Sequence, residues 1–483
     1  MHFSALLCLT CVAWALAWAP TAAASASLPY SARALQDKID ALPGLPTPPP
    51  AFQMFSGYVD VSPLKDGSRS MFYWFVESQS DPATDPVLLW TNGGPGCSGL
   101  GGFLTEQGPF RPTANGTALT ENPHAWNKIA NMVFIEQPVG VGFSTTTEAK
   151  IAYGDAQAAA DNHRFVVGFF ERFSNLAKQD FYITSESYGG HYMPTLALSL
   201  LEGNLGAVPQ FRGVAVGNPL TYMPYRNYGM YGTAYGHQIL PKPLFDEYTA
   251  ANCKDTWPTP SACNPITAKM DDILGGFDPY ALDFPVCDQE SLSGAHERHL
   301  MRENVRKAEA QHHSGSGYFP KIYEPCSQAW AAAYLDRDDV RAAIHVAASV
   351  PKQWSLCSNA INQGYNMTDV NLPMMPVWLD VLGKARDDFK IMVYSGDDDS
   401  VCATLGTQQW IWDLKLKEST TWAPWKFVDA QDDGQTAGFV TKFEGGMSFA
   451  TVHGAGHMVP QTRPAQSLQL MAAFTSEDWR KNE

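Results

Sequence analysis

The stretch that most constrains this chain is Phe181-Tyr182-Ile183-Thr184-Ser185-Glu186-Ser187-Tyr188-Gly189-Gly190. Its first four residues are aromatic or β-branched, the composition of a strand. Two glycines close it, and Met193, Leu196, Ala197 and Leu200 follow at helical spacing. A serine between a strand end and a helix start sits on a sharp turn. The turn exposes its hydroxyl, and aims backbone N–H groups and the helix dipole at whatever the serine attacks. The usual pattern for such a nucleophile elbow is G-x-S-x-G. Here Ser185 stands in the place of the first glycine, so the strict pattern fails. The position needs a residue small enough for strand and helix to approach, and serine is small. Read alone, the stretch also fits a polar turn between two core elements, so Ser187 needs partners elsewhere.

The neighbouring elements give the frame. Strand-type runs occur at Gly57–Val61, Met71–Val76, Val87–Trp90, Met132–Ile135 and Phe211–Val216, with a helix pattern from Asp155 to Phe173. A short helix around Ala32–Ile39 and a proline-rich segment, Pro43 to Pro50, precede them. Apolar strands alternating with helices predict a mostly parallel sheet covered on both faces. Turns rather than helices separate the first strands, which predicts an antiparallel edge. The rhythm breaks over 220–325, which reads as an inserted cap. Within it, His296 to Gly317 holds Arg298, Arg302, Arg306 and Lys307 and ends in Ser-Gly-Ser-Gly, the pattern of an exposed loop open to processing. Order returns with a helix around Asp336–His345, strands at Phe389–Ser395 and Ser448–His453, and a helix from Pro464 to Phe474. The expected organisation is a leader at 1–26, a core at 27–219, the cap at 220–325 and the rest of the core at 326–483.

Residues 1–26 carry no Lys, Arg, Asp or Glu, and an apolar run from Phe3 to Trp18 leads to Ala24-Ser25-Ala26. This is the pattern of a secretory signal peptide, and the run is short for a membrane span. A soluble protein of the secretory pathway is expected, bound for a lysosome, a vacuole or the outside. Leaving out Cys8 and Cys11, the seven cysteines are Cys97, Cys253, Cys263, Cys287, Cys326, Cys357 and Cys402, enough for three disulfides and one free thiol. None has zinc spacing, so neither metal nor cofactor is expected. Asn115-Gly116-Thr117 and Asn366-Met367-Thr368 are glycosylation sequons. A net charge of −16 argues against nucleic acid or an anionic membrane as partner.

A nucleophilic serine needs a base, and the base needs an orienting acid. Tyr394-Ser395-Gly396-Asp397-Asp398-Asp399 ends a buried-type strand and brings acids to the rim where an elbow sits. Gly454-Ala455-Gly456-His457 follows another strand, with glycines that free the loop to carry His457 across. His453 lies inside the strand pattern and reads as a packed residue. The order Ser187, Asp399, His457 is that of the α/β-hydrolase triad. Upstream, Trp90-Thr91-Asn92-Gly93-Gly94-Pro95-Gly96-Cys97 supplies a glycine turn with free N–H groups. Gly94 N–H and Tyr188 N–H are the expected oxyanion donors.

These blocks, together with Ser56-Gly57-Tyr58, Tyr73–Ser78, Leu104–Phe110, Pro138–Ser144 and Gly456–Pro460, resemble the serine carboxypeptidases, and among them the cathepsin A (lysosomal protective protein) branch. The resemblance implies an α/β-hydrolase fold and a hydrolase that releases single residues from peptide and protein C-termini through an acyl-enzyme, favoured at acidic pH. It implies Ser187 as nucleophile, His457 as base and Asp399 as orienting acid. It places Asn92, Gly93, Glu106 and Glu186 around the substrate's terminal carboxylate, and Gly101, Thr105 and Met458 at a substrate pocket. It implies the pairs Cys97–Cys357, Cys253–Cys263 and Cys287–Cys326, with Cys402 as a free thiol near the site. A homodimer and a protective scaffold role are compatible with it. An esterase or acyltransferase on the same scaffold is the rival reading, and it would not need a site for a free carboxylate. Two residues depart from the family pattern: Ser185 replaces a usual Gly, and Gly189 a usual Ala.

Overall fold

In the computed structural model the apolar runs build one 11-stranded sheet. The structure describes residues 29–203, 210–254, 259–287, 323–428 and 433–476; the expected leader at 1–26 and the basic stretch 296–317 lie outside the described residues. The strands are β1 (Met54–Asp60), β2 (Arg69–Val76), β3 (Val87–Thr91), β4 (Asn131–Ile135), β5 (Thr145–Thr146), β6 (Phe181–Glu186), β7 (Phe211–Gly217), β8 (Lys390–Gly396), β9 (Glu418–Val428), β10 (Asp433–Phe443) and β11 (Met447–Val452). Their order is β1-β2-β4-β3-β6-β7-β8-β11-β10-β9, with β5 beside β2.

The run from β4 to β11 is parallel throughout. Every residue of β3, β4, β6, β8 and β11 is buried, as strands covered on both faces must be. Alternate residues feed two cores. Leu89, Ile183, Val214 and Val216 pack on one side with Phe165, Phe169, Met193 and Leu196, from the helices α1 (Asp155–Arg172) and α2 (Gly189–Glu202). Leu88, Trp90, Tyr182 and Ala215 pack on the other with Phe103, Tyr334 and Phe474.

The first edge, β1–β2–β4, is antiparallel as expected. The far edge is a hairpin of β9 and β10 that the sequence pattern did not reveal. Strand β9 is largely exposed, carries Pro424 and loses register with β10 at several points, so it lacks the apolar alternation that marks a strand.

Over 220–287 the described chain forms α3 (Met223–Gly236), α4 (Lys242–Ala250) and α5 (Asn264–Leu274). They enclose a small core of their own around Tyr231, Leu244, Tyr248, Ile266 and Met270, with Cys253–Cys263 bonded beside it. The other two disulfides are Cys97–Cys357 and Cys287–Cys326, the pairs that the resemblance implies. Helix α6 (Ser327–Leu335) follows the last of these, and α7 (Thr404–Asp413) and α8 (Pro464–Thr475) come later in the chain.

Candidate active site

Because β3, β6, β8 and β11 run parallel, their C-terminal ends open onto one rim. That rim gathers the loops that begin at Asn92, Ser187, Asp397 and His453. Ser187 lies between β6 and α2 with a φ of 60°, the left-handed backbone of an elbow. Its N–H donates to Gly217 O at 3.0 Å, and its carbonyl accepts from Gly190 N at 2.9 Å and Leu220 N at 2.8 Å. Gly190 has to be glycine, since a Cβ there would meet the Leu220 carbonyl carbon at 2.8 Å. Ser185 is fully buried and donates its hydroxyl to Thr91 O at 2.6 Å.

His457 Nδ1 lies 2.7 Å from Asp399 Oδ2. With that nitrogen protonated, the imidazole keeps Nε2 as an acceptor, and Nε2 is buried with no hydrogen-bond partner among the described residues. The Asp399 carboxylate also accepts from Asn218 Nδ2 at 2.8 Å, Val401 N at 2.7 Å and Cys402 N at 3.1 Å. Cys402 is a buried free thiol against the Ser187 hydroxyl, and burial pushes its pKa well up, so it stays a thiol.

The sequence reading missed two residues here. Asn218 fixes the acid; it was visible as a polar residue ending a buried strand. Tyr280 lends its carbonyl to His457 N–H at 2.6 Å and sets its ring edge-on to the imidazole, 5.1 Å between centroids. No periodicity in its proline-rich surroundings linked it to His457. His453 corrects an expectation: it ends outside β11, its side chain is 73% exposed, and Nδ1 pairs with Asp397 at 2.8 Å. The strand stops one residue earlier than the pattern suggested, at Val452.

Asn92 joins two carboxyl groups. Its Nδ2 donates to Glu106 Oε1 and Glu186 Oε1, both at 2.8 Å, while its Oδ1 accepts from Trp90 Nε1 at 2.9 Å and Gly102 N at 3.0 Å. That orientation leaves the amide no choice of donor. Burial raises Glu106 to about 7. Burial, and then the Glu106 charge, raise Glu186 well above the usual carboxylate range. Two carboxyl groups this close retain a proton between them and can share it in a hydrogen bond.

Gly93 packs straight onto the elbow: a Cβ there would lie 2.7 Å from Glu186 O and 2.9 Å from Ser187 Cβ. Gly94 has a φ of 110°, which only glycine adopts without strain. The turn lies against the start of α2, where the atom nearest a Cβ built on Gly93 is Tyr188 N.

Of the pocket residues, Thr105 is buried and donates its hydroxyl to Gly101 O at 2.9 Å. The room beside Gly101 is already taken, since an added Cβ would sit 2.5 Å from Leu356 Cδ1. Met458 is half-buried, next to His457. Asn115 and Asn366 are both exposed. In the loop that carries Asp399, Asp398 meets His237 and Asp283, the three offering ligand atoms within 4.8 Å of one another, a grouping that no sequence spacing suggested. Asp398 already accepts the Asp283 N–H at 3.2 Å.

The arrangement can activate a hydroxyl, hold an oxyanion and bind a carboxylate through a shared proton. Comparison with known proteins agrees in kind. A family model described as "Serine carboxypeptidase" matches residues 43–477. "Serine carboxypeptidase-like 33" of Arabidopsis thaliana is 35% identical over 91% of this chain and 90% of its own length. "Serine carboxypeptidase-like 26" of Oryza sativa subsp. japonica is also 35% identical, over 91% and 89%. The crystal structure of Kex1(delta)p, a prohormone-processing carboxypeptidase from Saccharomyces cerevisiae, superposes with a TM-score of 0.72 at 20% identity, covering 92% of this chain and 96% of that one, a likeness of fold. These relatives do not single out the cathepsin A branch.

Proposed function

From a chain that belongs to the serine carboxypeptidase family, we propose an enzyme that removes one residue at a time from peptide C-termini by way of an acyl-Ser187 intermediate. Ser187 Oγ attacks the carbonyl carbon of the last peptide bond while His457 Nε2 takes its proton. Asp399 keeps the imidazole in the tautomer that leaves Nε2 free. The oxyanion falls between Gly94 N–H and Tyr188 N–H. His457 returns the proton to the leaving amine, the C-terminal amino acid departs, and water releases the acyl group by the same route.

The observation that carries this reading is the carboxyl pair on Asn92. Burying two carboxyl groups side by side on one amide is costly, and a substrate's terminal carboxylate gives the pair a use. Holding a proton well above the usual carboxylate range, Glu106 with Glu186 can donate to a terminal carboxylate, with Gly93 N–H beside them. An esterase acting on neutral substrates has no use for this pair. Activity is then favoured at acidic pH, and three disulfides suit an oxidising, secretory route.

The test follows a blocked peptide by mass spectrometry. Single residues should leave its C-terminus in turn, and Ser187→Ala should leave it intact while unfolding at nearly the wild-type temperature. Internal cleavage, or full activity in Ser187→Ala, would overturn the reading.

A further inference from the structure

A second buried Asp–His contact lies behind the elbow, away from the reacting atoms. Asp155 opens α1 and is 6% exposed. Its carboxylate accepts from Tyr188 OH at 3.0 Å and Tyr365 OH at 2.9 Å, and lies 2.9 Å from His191 Nδ1. Tyr188 and His191 are fully buried and Tyr365 nearly so. The His191 ring stacks on Tyr188 at 4.5 Å with 6° between planes, and Tyr365 meets the Tyr188 ring edge-on at 5.5 Å. Burial holds both phenols protonated, so they remain donors.

Two of these partners, Tyr188 and His191, belong to the segment that carries one oxyanion donor, and the third, Tyr365, belongs to a stretch packed on the turn that carries the other. Tyr188 supplies one donor from its own backbone, and His191 lies in the first turn of α2. Tyr192, packed against Tyr188 and Tyr365, accepts Gly96 N–H at 3.3 Å. Tyr365 ends the stretch 358–365, which grips the glycine turn from outside: Ser358 N donates to Gly96 O at 2.9 Å and Asn362 Nδ2 to Pro95 O at 3.1 Å. One carboxylate thus ties together the backbone on both sides of the oxyanion site.

We propose that Asp155 is a positioning residue for the oxyanion site: through Tyr188, His191 and Tyr365 it fixes the first turn of α2 against the 93–97 turn, so that the Tyr188 and Gly94 N–H groups converge on one point. The inference rests on the assignment of those two donors above. Asp155 reaches no substrate. Its effect is confined to the state in which negative charge has built up on the carbonyl oxygen, because that is when the two N–H groups matter most. Binding of the terminal carboxylate by Glu106 and Glu186, which Asn92 holds, should not depend on it.

Asp155→Asn tests this. The amide keeps the shape but loses the negative charge and one of the two acceptor oxygens that meet Tyr188, Tyr365 and His191. The measurements are kcat and KM on a blocked dipeptide, affinity for a peptide aldehyde that adds to Ser187 as a tetrahedral adduct, affinity for the free-acid product, and the unfolding midpoint. The expected result is a kcat lower by about ten- to a hundredfold, with KM within about twofold. Aldehyde affinity should fall by the same factor as kcat, and product affinity should hold. Tyr365→Phe removes one donor and should move kcat and aldehyde affinity the same way by less; it carries the test if Asp155→Asn does not fold. Folded variants with wild-type kcat and aldehyde affinity, however reduced their midpoint, would make the cluster purely structural and overturn the proposal alone. Full activity in Ser187→Ala would overturn it together with the reading on which it rests.

Discussion

Ser185 and Gly189 share one space. A Cβ added to Gly189 would lie 2.5 Å from Ser185 Cβ and nearer still to its hydroxyl oxygen. The two residues that the resemblance sets apart from the usual pattern therefore meet: bulk sits at the strand end rather than the helix start, and the elbow is packed.

The shared space predicts strong coupling. Gly189→Ala alone should overpack the elbow and destabilise the fold by about 1–3 kcal/mol. Ser185→Gly alone leaves a gap and removes the bond to Thr91. The double variant, Ser185→Gly with Gly189→Ala, should recover most of both losses. Chemical denaturation of all four proteins measures the cycle, and additive losses would contradict the shared-space reading.

How much of this was legible follows from where each signal lies. Strand–turn–helix around Ser187, and the glycine loops before Cys97 and His457, are local patterns, and the rim they share follows from a parallel sheet. The meeting of Ser185 and Gly189 showed only as two oddities, because their contact crosses the elbow. Tyr280 and Asp155 gave no signal, since each acts through a neighbour more than thirty positions away. His453 was misread because alternation continues one residue past the point where the backbone leaves the sheet.

Asn218 should matter as the group that fixes Asp399. Asn218→Ala removes a donor to Asp399 Oδ2 and the brace on Gly396, where Gly396 N donates to Asn218 Oδ1 at 2.9 Å. A loss of about 1–3 kcal/mol of stability and a fall in kcat are expected, with KM for the free-acid peptide nearly unchanged. A raised KM at full kcat would place Asn218 in binding instead.

Stability should peak on the acid side. Burial raises Glu136 and Asp398 to about 7, as it does Glu106. A carboxyl group whose folded pKa lies above its unfolded value near 4 keeps its proton in the fold and gives it up on unfolding. Its contribution is complete below about 4 and is lost as pH rises towards 7. The opposite sign holds for Glu148, which its Arg69 hydrogen bond keeps low, so stability also falls in stronger acid. Thermal midpoints should therefore decline from about pH 5 to pH 7. Glu136→Gln should flatten part of that decline, and a midpoint that rises over this range would contradict the assignment.

The most direct test of the central claim compares KM against pH for one blocked dipeptide with a free C-terminal carboxylate and for its C-terminal amide. The proton shared by Glu106 and Glu186 is needed only by the free acid. KM for the free acid should climb as rising pH removes the last proton from the pair, which burial and the neighbouring charge hold well above the usual carboxylate range, while KM for the amide stays level, and Glu106→Gln or Glu186→Gln should shrink the difference. Superimposable profiles in the wild type would contradict carboxylate recognition by the pair.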